Sequence, residues 1–242
     1  MNLAIDIGNS RVKAAVFEVD KCISLAVFDK GEIISEIRKI TNENNILTGI
    51  VSNVAALSDI QWVQLNEILD FQVVSSASKV PFKNTYKTPK TLGVDRIALV
   101  AAAVVKFPKK HVLVIDAGTC ITYDFVTKEA AYLGGAISPG IKMRYQSLHA
   151  FTENLPLLDV FESNNFMGTS TEESIISGVL TGVQKEINGF IEDYQQEYLD
   201  LTVVLTGGDT KFLSKQFKSS IFANQNFLLE GLNEILKFNA EK

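Results

Sequence analysis

The sequence predicts an α/β protein made of two copies of one unit, each a mixed β-sheet flanked by helices. A repeated phrase is the first observation, because Asp6-Ile7-Gly8-Asn9 and Asp116-Ala117-Gly118-Thr119 each follow an apolar, β-branched strand. A second apolar stretch follows each phrase, which is typical of a hairpin with glycine at its turn. Both halves then give the same predicted order of three strands, a helix, a strand and a helix.

Each copy of the phrase offers a carboxylate at a strand end and a glycine turn that a phosphate can approach. In the first copy, Ser10 and Lys13 add a hydroxyl donor and a positive charge, and Asp6 could hold Mg²⁺ directly or through water. The alternative is an ordinary hairpin in which Asp and Asn side chains bond the turn. The second copy favours two similar half-molecules that bind a polyphosphate with its metal ion.

In the first half, apolar periodicity and turn residues define the elements. The predicted elements are strands at 2–7, 12–19, 22–28, 46–51 and 71–75, and helices at 31–40, 58–69 and 92–105. A loop is predicted at 78–91, because Pro81 and Pro89 restrict the backbone around them.

The second half repeats this order from a predicted domain boundary, which gives domains at 1–108 and 109–242. The predicted elements are strands at 111–116, 121–126, 131–137 and 201–206, helices at 140–150 and 171–196, and two short terminal helices. The apolar positions of the long helix at 171–196 follow helical spacing, so one of its faces is expected to be buried.

Composition excludes several classes of protein. The 242 residues are 46% hydrophobic, as in globular proteins, and no apolar run approaches the ~20 residues of a membrane span. The net charge of −5 argues against a nucleic-acid surface, which needs clustered Lys and Arg. Cys22 and Cys120 match no metal-ligand spacing, and no basic region marks a signal peptide, so we expect a cytoplasmic protein with reduced thiols.

The segment Gly93-Val94-Asp95-Arg96 opens the predicted helix 92–105. An acidic residue in a first helical turn commonly does no more than compensate the helix dipole. A cation there is unfavourable, so Arg96 is less expected. The functional alternative is that Asp95 acts as a general base beside a phosphate-binding arginine.

Two further glycine-rich segments follow apolar strands. Thr206-Gly207-Gly208-Asp209 would let a ribose or a flat ring lie against backbone at the carboxyl end of a strand. The segment from Gly134 to Gly140 describes either a ligand-facing turn or only a tightly packed crossing.

Together these motifs resemble the superfamily of acetate and sugar kinases, heat-shock ATPases and actin, and more closely the type III pantothenate kinase family. The matching motifs follow the family's order along the chain: Asp6-Ile7-Gly8-Asn9-Ser10, Gly93-Val94-Asp95-Arg96, Asp116-Ala117-Gly118-Thr119 with Thr122 and Asp124, Gly134-Gly135 with Pro139-Gly140 and Met143, Thr171 with Ser177-Gly178, and Thr206-Gly207-Gly208-Asp209. The resemblance implies duplicated actin-like (ribonuclease H-like) domains.

The resemblance also implies a reaction, in which ATP phosphorylates the primary hydroxyl of pantothenate to 4'-phosphopantothenate, the first step of coenzyme A biosynthesis. It makes Asp95 the base, and it gives Arg96 a part in binding the substrate and the transferring phosphoryl group. The residues implied to line the pantothenate pocket are Tyr86, Gly93, Val94, Asp95, Arg96 and Thr171. Those implied to bind ATP are Asp6, Ile7, Gly8, Asn9, Ser10, Arg11, Val12, Lys13, Thr119, Gly207 and Gly208.

The same resemblance implies metal ions and a partner. Mg²⁺ would accompany ATP near Asp6, and Asp116 would bind an activating monovalent cation, K⁺ or NH₄⁺. The family forms homodimers in which the neighbour completes the pantothenate site, so Thr171 could serve either subunit's pocket. No nucleic acid or membrane is expected as a partner.

Two rival functions share the phosphate motifs. One is another small-molecule kinase of the superfamily, although such enzymes usually lack Gly-x-Asp-Arg with a tyrosine shortly before it. The other is a non-enzymatic ATP-binding accessory or interaction protein. The intact Asp95 argues against the latter, because a degenerate relative could lose its base without penalty.

Overall fold

A computed structural model describes residues 1–8, 11–53, 57–159, 162, 166–217 and 221–240. The strands are β1 (Asn2–Ile7), β2 (Val12–Glu18), β3 (Lys21–Phe28), β4 (Thr48–Asn53), β5 (Phe71–Val73), β6 (Lys83–Asn84), β7 (His111–Ala117), β8 (Cys120–Val126), β9 (Ala131–Pro139), β10 (Leu201–Thr206) and β11 (Phe222–Ala223). The helices are α1 (Ile33–Glu43), α2 (Asp59–Ile68), α3 (Val94–Lys106), α4 (Ile141–Ala150), α5 (Thr171–Glu197), α6 (Thr210–Leu213) and α7 (Phe227–Ala240).

The first sheet has the strand order β3-β2-β1-β4-β5. The strands β1, β2 and β3 pair antiparallel through tight turns, whereas β4 and β5 join parallel to β1 after helical crossovers. In this register Asp6 lies opposite Lys13 on one side and Ser52 on the other. The strand β1 therefore brings a carboxylate to the centre of the sheet's carboxyl edge.

The second sheet has the order β11-β10-β7-β8-β9-β6. Counted from the repeated phrase, β7, β8 and β9 correspond to β1, β2 and β3, and β10 and β11 correspond to β4 and β5. The five corresponding strands lie in the same order in both sheets, and β10 and β11 again join in parallel. The predicted duplication of a mixed sheet flanked by helices is confirmed.

The chain forms two compact units. The first contains Met1–Lys109, Val126–Gly134 and residues 226–240, and the second contains Lys110–Phe125 and Gly135–Gln225. The predicted domains are 1–108 and 109–242, which puts the last helix with the second half. In the structure, α7 belongs to the first unit, where it packs against α3 and β1. Sequence order does not reveal this return, because it depends on which apolar face α7 buries.

Each unit has its own core. In the first, buried Ile side chains of α1 pack on one face of the sheet, and α7 contacts β1, β2 and β4 while packing against the alanine-rich α3. In the second, α5 buries the face predicted from its helical spacing, including Val179, Val183 and Ile187. This helix spans 27 residues, and its buried residues run from Ile175 to Ile191.

Two stretches differ from the sequence-based predictions. The predicted loop at 78–91 contains β6, a two-residue strand that pairs with the start of β9. Two α-helices follow β10 as predicted, but the second, α7, is not short, having 14 residues, and the two-residue strand β11 lies between them. Within the described part of the chain, no helix has both the length and the apolar character needed to cross a bilayer.

Candidate active site

The turn after β1 is the first feature of the candidate site. The backbone N–H of Gly8 donates to the carbonyl of Arg11 at 3.1 Å, which closes the turn that leads into β2. A side chain at Gly8 would bring its Cβ 3.2 Å from that same carbonyl, so the turn favours glycine. Asn9 and Ser10, two predicted phosphate donors, lie outside the described residues.

Asp6 is the carboxylate at this turn, and its environment disfavours charge. Its Oδ1 is buried and has no hydrogen-bond partner among the described residues. Burial raises the pKa of Asp6 to about 6; Lys13 opposes this rise, and the negative charge of Asp95 adds to it. A bound cation would offset the cost of removing this oxygen from water, so the site suits a cation.

Asp95 lies in the first turn of α3, as predicted. Its Oδ1 accepts a hydrogen bond of 2.8 Å from the backbone N–H of Arg96. The carboxylate folds back over Gly93, where a Cβ would lie only 2.3 Å from Oδ1. Glycine at 93 therefore leaves the space that this carboxylate occupies, while the half-buried Asp95 remains accessible to a ligand.

Arg96 is held beside an aromatic ring. Its guanidinium carbon lies 5.6 Å from the centre of the Tyr86 ring, within the range of a cation–π contact. The side chain of Arg96 is buried, being 5% exposed. The structure thus brings Tyr86, Gly93, Asp95 and Arg96, all predicted substrate residues, together with Asp6 and Lys13 in the first unit. Val94 is the first residue of α3 and is half-buried beside them.

In the second unit, the carboxyl ends of β7 and β10 are joined at the second copy of the phrase. Asp116 lies opposite Thr206, and the N–H of Asp209 donates to the carbonyl of Ala117 at 3.0 Å. Gly207 has φ +97°, and a Cβ there would lie 2.4 Å from Asp116 Oδ1. Only glycine admits both this backbone conformation and the adjacent carboxylate.

Thr119 and Gly208 leave open surface at the same edge. Thr119 is exposed, and its carbonyl accepts a 3.1 Å hydrogen bond from the N–H of Gly140 at the start of α4. Gly208 is exposed, and a Cβ there would meet no atom within 4 Å. Both residues are therefore accessible to a nucleotide.

Thr171 is exposed at the first position of α5 and lines a cavity of about 900 Å³ between α4 and α5. The helix start is firmly capped, because Ser170 Oγ accepts from the N–H of Glu173, whose carboxylate accepts from Thr169. Arg144 lines the same cavity. Thr171 is thus fixed in a pocket that lies within the second unit.

Comparison of the sequence with known proteins identifies its family. The model of the family described as type III pantothenate kinase matches residues 2–193, most of the chain. The chain belongs to the type III pantothenate kinase family. A curated relative of this kinase, a type III pantothenate kinase from Christiangramia forsetii, is 48% identical over 240 residues that cover 99% of each sequence.

Solved structures agree on the fold of this kinase. The activator of 2-hydroxyisocaproyl-CoA dehydratase from Clostridium difficile, with bound ADPNP, aligns with a TM-score of 0.56 at 12% identity, covering 100% of this chain and 97% of that one. A glucokinase from an Antarctic psychrotroph aligns with a TM-score of 0.52 at 12% identity, covering 98% of both. Such low identity shows the fold alone, which is the duplicated actin-like fold.

The sequence interpretation missed two residues near the kinase's motifs, and it gave no separate role to Asp209 of the last motif. Ser52 and Asn53 end β4 beside Asp6 and Ile7, and each has a buried side-chain oxygen. Asp209 lies beside the second phrase, and burial raises its pKa to about 6, with Lys142 opposing and Asp159 adding to the rise. Polar residues at the end of an apolar strand were the available signal for Ser52 and Asn53.

Proposed function

We propose that this kinase transfers the γ-phosphoryl group of ATP to the primary hydroxyl of pantothenate, forming 4'-phosphopantothenate and ADP for coenzyme A biosynthesis. The observation that carries the proposal is the placement of Asp95. Its accessible carboxylate lies in the first unit, close enough to Asp6 of the phosphate turn for the two charges to interact. A base beside a phosphate turn is the arrangement that transfer to a hydroxyl requires.

Asp95 accepts the hydroxyl proton as the substrate oxygen forms its bond to the γ-phosphorus, and the bond between that phosphorus and the ADP oxygen breaks. The proton then passes from the carboxyl group to solvent. Such general-base assistance contributes typically ~10²–10⁴-fold. Arg96 offsets the charge of the transferring group and orients the substrate. Tyr86, Gly93 and Val94 are assigned to the pantothenate pocket, and Thr171 is assigned to the pocket of its own subunit or of the partner.

The nucleotide is assigned to the two glycine turns and their neighbours. The residues proposed to bind ATP are Asp6, Ile7, Gly8, Asn9, Ser10, Arg11, Val12 and Lys13 in the first unit, and Thr119, Gly207 and Gly208 in the second. Lys13 supplies a positive charge opposite Asp6, and the open backbone at Gly208 admits the adenosine part.

Mg²⁺ fits the first turn as an ion that arrives with ATP. The buried Oδ1 of Asp6 supports this assignment, because an uncompensated carboxylate oxygen suits a hard cation. The described residues contain no group of three or more His, Cys, Asp or Glu side chains able to hold a metal. When bound, Mg²⁺ neutralises phosphate charge, with water and phosphate oxygens supplying most of its ligands.

Asp116 is proposed to bind an activating monovalent cation, K⁺ or NH₄⁺. Its carboxylate lies against Gly207, next to the carbonyl of Ala117, so oxygen ligands of the kind that K⁺ takes lie together at this edge. Exchange of K⁺ for Na⁺ at constant ionic strength is expected to lower the rate of the wild-type enzyme. It should leave the rate of Asp116→Asn nearly unchanged, since that variant has already lost the site.

A homodimer is proposed, with the partner covering the apolar surface beside Thr171. Phe166 and Met167 are 78% and 75% exposed, yet their segment is held firmly against α5. The hydroxyl of Ser177 donates to the carbonyl of Phe166, and the backbone of Gly168 packs against Ser174. Apolar side chains presented on a fixed backbone beside a pocket are typical of an interface.

The reaction is tested by ADP release from Mg-ATP with pantothenate, with glucose, with acetate and without an acceptor. Release that requires pantothenate is expected. Release with glucose or acetate in its place would assign the chain to another phosphotransferase of the fold, and no release with any acceptor would favour a binding protein. We propose a cytoplasmic location, where the free thiols of Cys22 and Cys120 would stay reduced.

A further inference from the structure

Tyr132, to which no role has been given so far, lies at the centre of an aromatic stack in the first unit. It is fully buried near the start of β9, with 0% exposure. The Tyr86 ring stacks against it at a centroid distance of 6.0 Å and an interplanar angle of 18°. The Phe82 ring meets it edge-on at 6.1 Å and 73°.

The backbone of Tyr132 binds the residue that precedes Tyr86. Its carbonyl accepts hydrogen bonds from both the N–H of Thr85, at 3.1 Å, and the hydroxyl of Thr85, at 2.6 Å. Asn84 lies opposite Tyr132 in the short pairing of β6 with β9. Tyr86 is therefore held in two ways: the residue before it is hydrogen-bonded to the backbone of Tyr132, and its ring packs on the ring of Tyr132.

The stack continues to the arginine of the substrate motif. The guanidinium carbon of Arg96 lies 5.6 Å from the Tyr86 centroid, and the backbone N–H of Arg96 holds the carboxylate of Asp95. A planar cation over a ring is sensitive to where that ring lies. Movement of Tyr86 would therefore shift the guanidinium of Arg96 relative to the proposed base.

We propose that Tyr132 is a positioning residue for phosphoryl transfer: it fixes the ring of Tyr86, and through that ring it orients the guanidinium of Arg96. This assignment rests on the proposed function, in which Arg96 binds pantothenate and the transferring group. Tyr132 itself touches neither substrate. Its influence falls on the use of pantothenate, whereas the binding of ATP at the glycine turns is independent of it.

The test compares Tyr132→Leu, which removes the stacking face, with Tyr132→Phe, which keeps it. The matched control is Phe82→Leu, which removes the aromatic side chain that meets Tyr132 edge-on. Tyr132→Leu is expected to lower kcat/KM for pantothenate about three- to tenfold, the size of a lost stacking or cation–π contact, with KM for ATP unchanged. Tyr132→Phe should remain within about twofold of wild type, and Phe82→Leu should lose thermal stability but keep its kinetic constants.

Coupling to Tyr86 separates positioning from a general structural role. In a Tyr86→Leu background, Tyr132→Leu should produce no further loss of kcat/KM, because the ring that it positions is already gone. Full additivity, or equal kinetic loss in Tyr132→Leu and Phe82→Leu, would overturn the assignment. If Tyr132→Leu does not fold, Tyr132→Met supplies a longer, flexible side chain that fits an irregular cavity and has no planar face, and the same expectations apply to it.

The wild-type measurement distinguishes the two levels of failure. A wild-type enzyme that does not turn over pantothenate overturns the proposed function and this assignment together. A wild-type enzyme that does, beside a Tyr132→Leu variant with unchanged kcat/KM, overturns the assignment alone.

Discussion

At the scale of single residues, the candidate site consists of carboxylates in unequal environments. One carboxylate oxygen of Asp6 is buried and has no hydrogen-bond partner in the described part of the chain, whereas Asp95 accepts a backbone hydrogen bond. Burial disfavours the charge of Asp6, which a bound cation would offset, and the backbone hydrogen bond fixes the carboxylate of Asp95 in place. The difference suits a cation ligand on one side and a base on the other.

Asp95→Asn is expected to lower kcat by at least about 10²-fold, because an amide cannot accept the hydroxyl proton. Its melting temperature and its affinity for ATP should stay near those of wild type, since Asn keeps the shape and one oxygen of the side chain. Asp59→Asn, the same change in the first turn of α2, is the control and should keep full activity. An Asp95→Asn variant that turns over at the wild-type rate would exclude Asp95 as the base.

Asp6→Asn is expected to stabilise the metal-free, nucleotide-free protein while abolishing its activity. The raised folded-state pKa of about 6 means that the folded state holds the proton more tightly than the unfolded state, so wild-type stability falls as pH rises from about 4 to about 6. Asn does not ionise, so the variant should gain up to about 3 kcal/mol in unfolding free energy over wild type above pH 6.

Denaturant unfolding of both proteins at pH 3.5 and pH 7.5 measures this difference. Near pH 3.5 the Asp6 carboxyl is largely protonated in both the folded and the unfolded protein, so the stability gain of Asp6→Asn should nearly vanish. An equal stability gain at both pH values would show that the packing of Asp6, and not its charge, destabilises the wild-type protein.

Sequence reasoning reached the motif residues because glycine turns and charged residues at strand ends are local features. It did not reach Tyr132, since a tyrosine in an alternating strand is typical of any core, and only the fold shows that it stacks behind Tyr86. Ser52 was missed for a similar reason, because its closeness to Asp6 comes from the pairing of β4 with β1.

At the scale of elements, one carboxylate joins four elements of the second unit. Glu186 on α5 accepts hydrogen bonds from the hydroxyl of Tyr123 on β8 at 2.9 Å, from Ser138 on β9 at 2.5 Å, and from Arg144 on α4 at 2.5 Å. Burial by itself would raise the pKa of Glu186, but the hydrogen bonds from Arg144, Ser138 and Tyr123 outweigh it and the pKa is lowered. This cluster fixes α4 against α5, on either side of the cavity that contains Thr171.

Glu186→Gln is expected to lower the free energy of unfolding by about 2 kcal/mol at pH 7, because it removes the charge that three donors share. A depressed folded-state pKa gives stability that is present at neutral pH and lost as pH falls through that pKa, so the difference from wild type should shrink in acid. Denaturant unfolding at pH 7 and pH 3 measures both expectations.

Asp159→Asn is the matched control, since Asp159 pairs with Lys142 at 3.3 Å on the exposed surface. The loss there should stay below about 0.5 kcal/mol. Equal losses in the two variants would contradict a special role for the Glu186 cluster.

The order of the elements was predictable from the chain, because buried strands and amphipathic helices carry their own periodicity. The strand β6 was not, since Lys83 and Asn84 show no pattern and pair only because β9 provides an edge. The position of α7 was not predictable either, because its apolar face could cover either sheet until tertiary packing selects α3 and β1.

At the scale of the whole molecule, the duplicated fold gives each half a glycine turn, a carboxylate and a parallel strand beside it.

Phe166→Asp is expected to shift the protein from dimer to monomer and to lower pantothenate turnover, because it places a charge in the proposed interface. Light scattering after size exclusion measures the mass. Ile60→Asp, a change at an equally exposed apolar residue on α2, should remain dimeric; a dimeric and fully active Phe166→Asp would exclude this surface.

The proposed reaction moves the γ-phosphoryl group from ATP to pantothenate. We would follow the reaction of Mg-ATP with pantothenate in K⁺ buffer by phosphorus NMR. A phosphate ester on the primary hydroxyl of pantothenate is expected to form in step with ADP. ATP that is hydrolysed to inorganic phosphate, or that is unchanged while pantothenate stays unmodified, would contradict it.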